Sequence, residues 1–299
     1  MAILVTGAAG LVGRAAVAAL LRQGVEHVRA VVRDPAQVGD LRRLGAKVAL
    51  LDATDPDGLT AAMDGVFTAC SLTGSLWPRP GEDPYTCVVE PARVFLDAAS
   101  AAGVRRVVIC SPAAVGSPAA RGNPHLAAKA EVERMVAASG LEHAVLRCTH
   151  VLGPGGRLVA LLAGAGPAGP DSVLVPGDGR QRVAPVWVGD VADAIAAADD
   201  APELPATTWS LAGPTELSFD DLVDAINGGP VGKRHLAAED GEAPPVQQAG
   251  LSEVQLEVLA ADSLGDPALP APPGLVPTPL AEALARSADA AWPRVAGTP

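Results

Sequence analysis

The sequence predicts an α/β fold: a doubly wound parallel sheet covered by helices on both faces, with a smaller C-terminal lobe. Three observations predict it. Strand-like apolar runs alternate with amphipathic helical stretches through residues 2–148. Those runs are apolar throughout rather than at every second position, as strands buried on both faces must be. A glycine triplet stands at the first strand-to-helix turn.

The elements follow in order. "AILVTG" is a strand and residues 11–23 its helix; "VRAVVR" leads to a helix near 35–44 and "KVALLD" to one near 56–63. "GVFTACSL" precedes the helix "VVEPARVFLDAASAAG", "RRVVICS" precedes "HLAAKAEVERMVAASG", and "HAVLRC" closes the series. Beyond residue 150 the rhythm loosens into Gly/Pro-rich stretches, although "VGDVADAIAAADD", "TTWSLAG" and "SFDDLVDAI" still read as ordered elements. The expected division is a nucleotide-binding part at 1–150, completed by about 183–212, and a substrate lobe from 151–182 and 213–299.

At 299 residues, 49% hydrophobic and 19% charged, the chain can bury a sizeable core. Its formal charge of −12 repels polyanions, which speaks against nucleic acid and anionic membranes as partners and leaves a small molecule as the expected ligand. The four cysteines, Cys70, Cys87, Cys110 and Cys148, are far apart without metal or CxxC spacing and read as reduced thiols. The first strand begins at residue 2 and no apolar run reaches the roughly 18 residues of a spanning helix, so the expectation is a soluble, cytoplasmic protein, monomer or homodimer.

"VTGAAGLVGRAA" places Gly7, Gly10 and Gly13 between the first strand and its helix. Gly7 permits the tight turn, Gly10 lets backbone approach a pyrophosphate, and Gly13 lets helix and strand pack closely. The helix N-terminus then presents free N–H groups and a positive dipole end to phosphate. Ala9, Leu11 and Val12 in the same loop, Ala53 after the third strand and Ser71 at the end of the fourth complete the expected cofactor contacts. Where an acidic residue would favour NAD, the second strand ends in Arg33, whose planar fork suits a 2′-phosphate and so NADP(H); as a solvated surface residue beside Asp34 it would not exclude NAD. Asp52 is placed either to accept from an adenine amine or to cap the following turn.

"TGAAGLVG", "DATDPDGL", "AASAAGVRRVVICSP", "HLAAKAEVE", "VLRCTHVLGPGG", "PGDGRQRVAPVWVGDVADAI" and "WSLAGPTELSFDDLVDAI" occur in the order found in extended and atypical short-chain dehydrogenases/reductases, including the NmrA-like branch, and the chain resembles them over residues 2–228. The resemblance implies a Rossmann-type sheet, NADPH or NADP+ as cofactor, and a Ser-Tyr-Lys set. In that set the tyrosine donates a proton to the carbonyl oxygen as hydride arrives, the lysine holds the nicotinamide ribose and lowers the tyrosine pKa, and the serine orients the substrate. By position Ser111 matches the serine and Lys129 the lysine, whereas His125 stands where the tyrosine belongs. Val88 occupies the place of an asparagine common in the family.

Tyr85 is the only tyrosine and is expected in the loop before the fourth helix, near the pocket mouth. His125, four residues before Lys129, shares its helical face. A neighbouring ammonium disfavours a second positive charge, so His125 is proton donor, substrate-orienting group or remnant. His150 in "RCTHVLG" binds substrate or caps its loop; Asp190 and Asp193 are expected to cap their helix or pair with Arg182. The expected activity is an NADPH-dependent ketoreductase without the tyrosine, acting on a polycyclic aromatic polyketide or quinone-like compound, with the proton drawn from the substrate itself as one route. Family members lacking the tyrosine include quinone reductases, angucyclinone-type ketoreductases and NADP-sensing regulators; a non-catalytic sensor or a quinone reductase is the alternative.

Overall fold

The structure, a computed structural model, describes residues 2–74, 76–77, 83–117, 121–163, 172–205, 207–237 and 251–288. The chain enters through β1 (Ala2–Thr6), α1 (Leu11–Arg22), β2 (His27–Val32), α2 (Val38–Leu44), β3 (Lys47–Leu50), α3 (Pro56–Ala62) and β4 (Val66–Ser71). It continues through α4 (Pro84–Ala101), β5 (Arg106–Pro112), α5 (Pro124–Ala138) and β6 (Glu142–Cys148). The stretch expected as one helix near 35–44 is a 3-10 turn, Pro35–Gln37, followed by α2. Asp34 accepts from Ala36 N, and Pro35 fixes that turn.

The second half begins with β7 (Val151–Leu152), α6 (Arg157–Leu162), β8 (Ser172–Pro176), β9 (Arg182–Val183) and β10 (Val186–Trp187). It ends with α7 (Val188–Asp200), β11 (Thr207–Leu211), β12 (Leu217–Ser218), α8 (Phe219–Ile226), β13 (Gly232–Leu236), α9 (Glu253–Ala260) and α10 (Leu280–Ala288).

Seven parallel strands form the main sheet in the order β11-β6-β5-β4-β1-β2-β3. One face packs against α1 and α7 through a core that includes Val17, Leu20, Val191 and Ile195; the other packs against α3, α4 and α5 through Leu59, Phe95, Val132 and Val136. Strand order reverses between β4 and β2 on either side of β1, which opens a crevice at the carboxyl ends of these strands. A third core, with Leu162, Val175, Phe219, Leu222 and Leu256 among its residues, binds α6, α8 and α9 to the β8–β13 pair beside that crevice.

Two expectations are corrected. α4 starts at Pro84, one turn before the expected "VVEPAR", because Asp83 accepts from Thr86 N at 2.7 Å and Pro84 supplies a preset first position. Tyr85 therefore sits in a helical turn rather than in a loop. Asp190 neither caps α7 nor pairs with Arg182: its carboxylate accepts from Thr278 N at 2.8 Å and from Thr278 Oγ1 at 2.6 Å. Asp193 pairs with Arg22 at 3.7 Å, and Arg182 with Glu216. The partners of Asp190 and Asp193 come from segments distant in sequence, which helix periodicity does not reveal.

Candidate active site

A cleft of about 880 Å³ occupies the crevice at the carboxyl ends of the sheet strands, beside the third core. Gly7, Ala9, Gly10, Leu11, Val12 and Gly13 form one wall. Gly7 adopts φ +67°, a left-handed turn that a side chain would strain, and a Cβ on Gly13 would collide with the Gly7 carbonyl oxygen. Gly10 caps α1 without a side chain, so the first N–H groups of a 12-residue helix are left for an external acceptor. Arg14 steadies this loop by donating from Nε to Ala9 O at 2.9 Å.

The opposite wall comes from β5 and α5. Asn123 caps α5, its Oδ1 accepting from His125 N and Leu126 N at 3.1 Å, and Pro124 occupies the first helical position. The cap fixes the helix phase, so His125 and Lys129 both line the cleft. Lys129 Nζ donates to Thr73 O at 3.2 Å and lies over Gly74, beside the methyls of the buried Val88. Burial pushes the Lys129 ammonium below its ordinary value, while the Cys110 and Cys87 thiols and Glu133 act in the opposite sense. Ser111 is 3% exposed, and its Oγ has no hydrogen-bond partner among the described residues.

His125 is 2% exposed, and burial, together with Lys129, lowers its pKa to about 3. Its imidazole is neutral at physiological pH and holds no readily donated proton. His150 also lines the cleft; burial lowers its pKa to about 4, its Nε2 is buried without a partner among the described residues, and its ring meets Phe219 edge-on at 5.9 Å. Its backbone N–H is taken by Ser263 Oγ at 3.2 Å.

Ten of the sequence-derived site residues thus meet in one cleft: Gly7, Ala9, Gly10, Leu11, Val12, Gly13, Ser111, His125, Lys129 and His150. Arg33, Asp52, Ala53, Ser71 and Tyr85 do not line it. Arg33 and Asp52 follow β2 and β3 on the outer side of the sheet and face each other at 3.9 Å, both about half exposed, with Asp52 Oδ1 also accepting from Thr54 N and Oγ1. Ser71 is buried and paired with Thr73 Oγ1, so the backbone beyond β4, Leu72–Gly74, faces the cleft in its place. Tyr85 is 46% exposed. The sequence reading missed Gln37, Thr73, Trp77, Cys110, Arg157 and Ser263, which also line the cleft. Thr73 and Cys110 adjoin strand ends beside the reversal of strand order and were within reach of a topological argument; Trp77, Arg157 and Ser263 arrive through tertiary packing. A hydrogen bond with Cys110 and burial push the Cys148 thiol up, so it remains protonated.

No Asp or Glu is among the described cleft-lining residues, although the chain carries 34 acidic residues; its ammonium and guanidinium groups are Lys129 and Arg157. The uncapped helix start, the left-handed Gly7 and the orphaned Ser111 Oγ fit a dinucleotide. Gly10–Gly13 would hold its pyrophosphate, and Lys129, with one N–H given to Thr73 O, would hold ribose hydroxyls. Among the described residues no helix is long and apolar enough to cross a membrane, and no cluster of three metal-ligating side chains occurs.

Comparison with known proteins agrees with this geometry. A family described as NAD(P)H-binding matches residues 7–202. A 3-diazoavenalumate denitrifying reductase from Streptomyces is 30% identical over 250 residues, covering 70% of this chain and 79% of that protein. Among solved structures, an NADPH-dependent quinone oxidoreductase from Escherichia coli complexed with NADPH superposes with a TM-score of 0.73 at 23% identity, over 95% of this chain and 98% of that one. The Citrobacter triphenylmethane reductase complexed with NADP(H) does so with a TM-score of 0.72 at 20% identity, over 96% of this chain and all of that one. With the glycine loop opening this cleft and the match running through most of the sheet, the chain belongs to the NAD(P)H-binding family and has the fold of the atypical short-chain dehydrogenases/reductases.

Proposed function

We propose that this chain is an NADPH-dependent reductase of carbonyl groups on polycyclic aromatic, polyketide or quinone-like substrates, working without a tyrosine acid. The observation that carries the reading is the unpartnered Ser111 Oγ in the same cleft as the buried Lys129 and the glycine loop. A buried hydroxyl without a partner is costly unless a ligand supplies one. The Streptomyces relative and the two superposed structures are named as reductases, which supports the same class.

Bound NADPH supplies a hydride. In this reading Ser111 Oγ, unpartnered in the cleft, donates a hydrogen bond to a substrate carbonyl oxygen, and Lys129 contributes positive charge to an oxygen that becomes anionic. His125 is neutral and acts as a shaping or hydrogen-bonding group, not as the acid. The proton then comes from a substrate hydroxyl beside the ketone, from water, or from Lys129, whose lowered pKa makes it a stronger acid than an ordinary lysine. Arg33 at the end of β2 supports NADPH over NADH, since its fork suits a 2′-phosphate.

The test is NADPH consumption, followed by absorbance, against a panel of quinones and of polycyclic ketones with and without a neighbouring hydroxyl. Turnover should fall about a hundredfold in Lys129→Met and stay within about fivefold of wild type in His125→Phe. Tight NADPH binding without turnover of any panel member would overturn the reductase reading in favour of a cofactor-sensing role.

A further inference from the structure

We propose that the substrate side of the cleft is an anion-selecting aromatic site, in which Trp77 and Arg157 take a planar aromatic ligand that carries a carboxylate or comparable acidic group. The Arg157 guanidinium lies over the Trp77 ring at 4.9 Å, and both residues line the cleft. Stacking occupies a face of the guanidinium and leaves its in-plane N–H edges to bond an acceptor. Arg157 has no carboxylate partner among the described residues. Other arginines near carboxylates are paired: Arg147 with Glu133, Arg105 and Arg106 with Glu142, and Arg182 with Glu216.

The second observation is independent of Arg157. A chain of net charge −12 keeps every carboxylate out of the described cleft lining. A cofactor with phosphates explains that exclusion at the glycine loop, but Trp77 and Arg157 adjoin the apolar side chains of Leu76, Leu158, Val258 and Leu259, which suit a ring system rather than a phosphate. The unpartnered His150 Nε2 provides a further polar contact in the same cleft. Without a local cation, an anionic ligand would meet the repulsive field of the whole protein. Arg157 supplies such a cation in the cleft lining.

This inference deepens the reductase reading by naming the charge of its substrate, yet it is tested by binding alone. The NADP+-saturated protein is titrated with naphthoate and with naphthamide, which share a shape and differ in charge, and the heat of binding is recorded. Naphthoate should bind about tenfold more tightly at low salt, with the preference shrinking as ionic strength rises. Arg157→Gln should remove the preference, Arg157→Lys should retain part of it, and Trp77→Leu should weaken both probes.

Equal affinities in the wild type, or a preference that survives Arg157→Gln, would overturn the proposal. So would a loss of NADP+ affinity in Arg157→Gln that accounts for the change, since the guanidinium would then belong to the cofactor's phosphates. A naphthoate preference in a protein that turns over no carbonyl compound would uphold the anion site while removing the reductase reading.

Discussion

His125 lies one helical turn before Lys129 in the same buried wall, and the two cannot both carry charge cheaply: burial, with the ammonium beside it, holds the imidazole neutral down to about pH 3. On the proposed reading, in which His125 stands at the tyrosine's position, the imidazole is therefore withheld from acid catalysis by burial and by the charge of Lys129.

The acid side of the stability curve should report this. An unfolded chain protonates His125 near pH 6.5, whereas the native state waits until about pH 3, so stability is lost as pH falls through that interval. His150 adds to the effect between 6.5 and about 4. His125→Phe should reduce the stability lost between about pH 7 and about pH 4 by on the order of 3 kcal/mol, measured by urea unfolding at both values. Equal losses in the two proteins would show that the imidazole is solvated.

Gly13→Ala should abolish measurable NADPH binding and cost about 1–3 kcal/mol of stability, because the added Cβ meets the Gly7 carbonyl and forces α1 away from β1. Fluorescence titration and thermal unfolding read the two effects separately.

Arg33→Ala should lower the preference for NADPH over NADH by about tenfold or more, the worth of one charge-assisted bond pair to a 2′-phosphate. The comparison of dissociation constants decides it. Unchanged preference would make Arg33 merely the surface partner of Asp52.

Asn123 joins two elements. Its Oδ1 caps α5, and its Nδ2 donates to Glu257 Oε2 at 2.7 Å and to Val254 O at 3.2 Å on α9. Asn123→Asp keeps the cap but sets two carboxylates together, so it should preserve NADPH affinity and weaken aromatic ligands severalfold. Asn123→Ala should lose both functions and about 1–2 kcal/mol of stability. Calorimetric titration of cofactor and naphthoate separates the cases.

The parts of the site that were legible in sequence are those fixed by local rules. Gly7, Gly10 and Gly13 follow from the geometry of one turn, and His125 and Lys129 share a face because a helix repeats every 3.6 residues. Asn123 and Pro124 even mark where that helix begins. Trp77, Arg157 and Ser263 were not legible, because tertiary packing around the third core, rather than any spacing, brings them to the cleft. The partner of Asp190 lies 88 residues away at Thr278, and helix propensity carries no information on that distance. Arg33 and Asp52 were legible by topology, as residues following adjacent parallel strands, yet their mutual ion pair was not.

The grip of Asp190 on Thr278 also sets an order in time. A nascent chain releases the glycine loop, Ser111 and Lys129 long before residues 251–288, and the early strands can pair as they emerge. α9 and the Thr278 segment come last, carrying Val258, Leu259 and Ser263 to the remaining side of the cleft. On the ribosome, then, this protein should acquire a place for its dinucleotide before it has a finished wall against which a second ligand can rest.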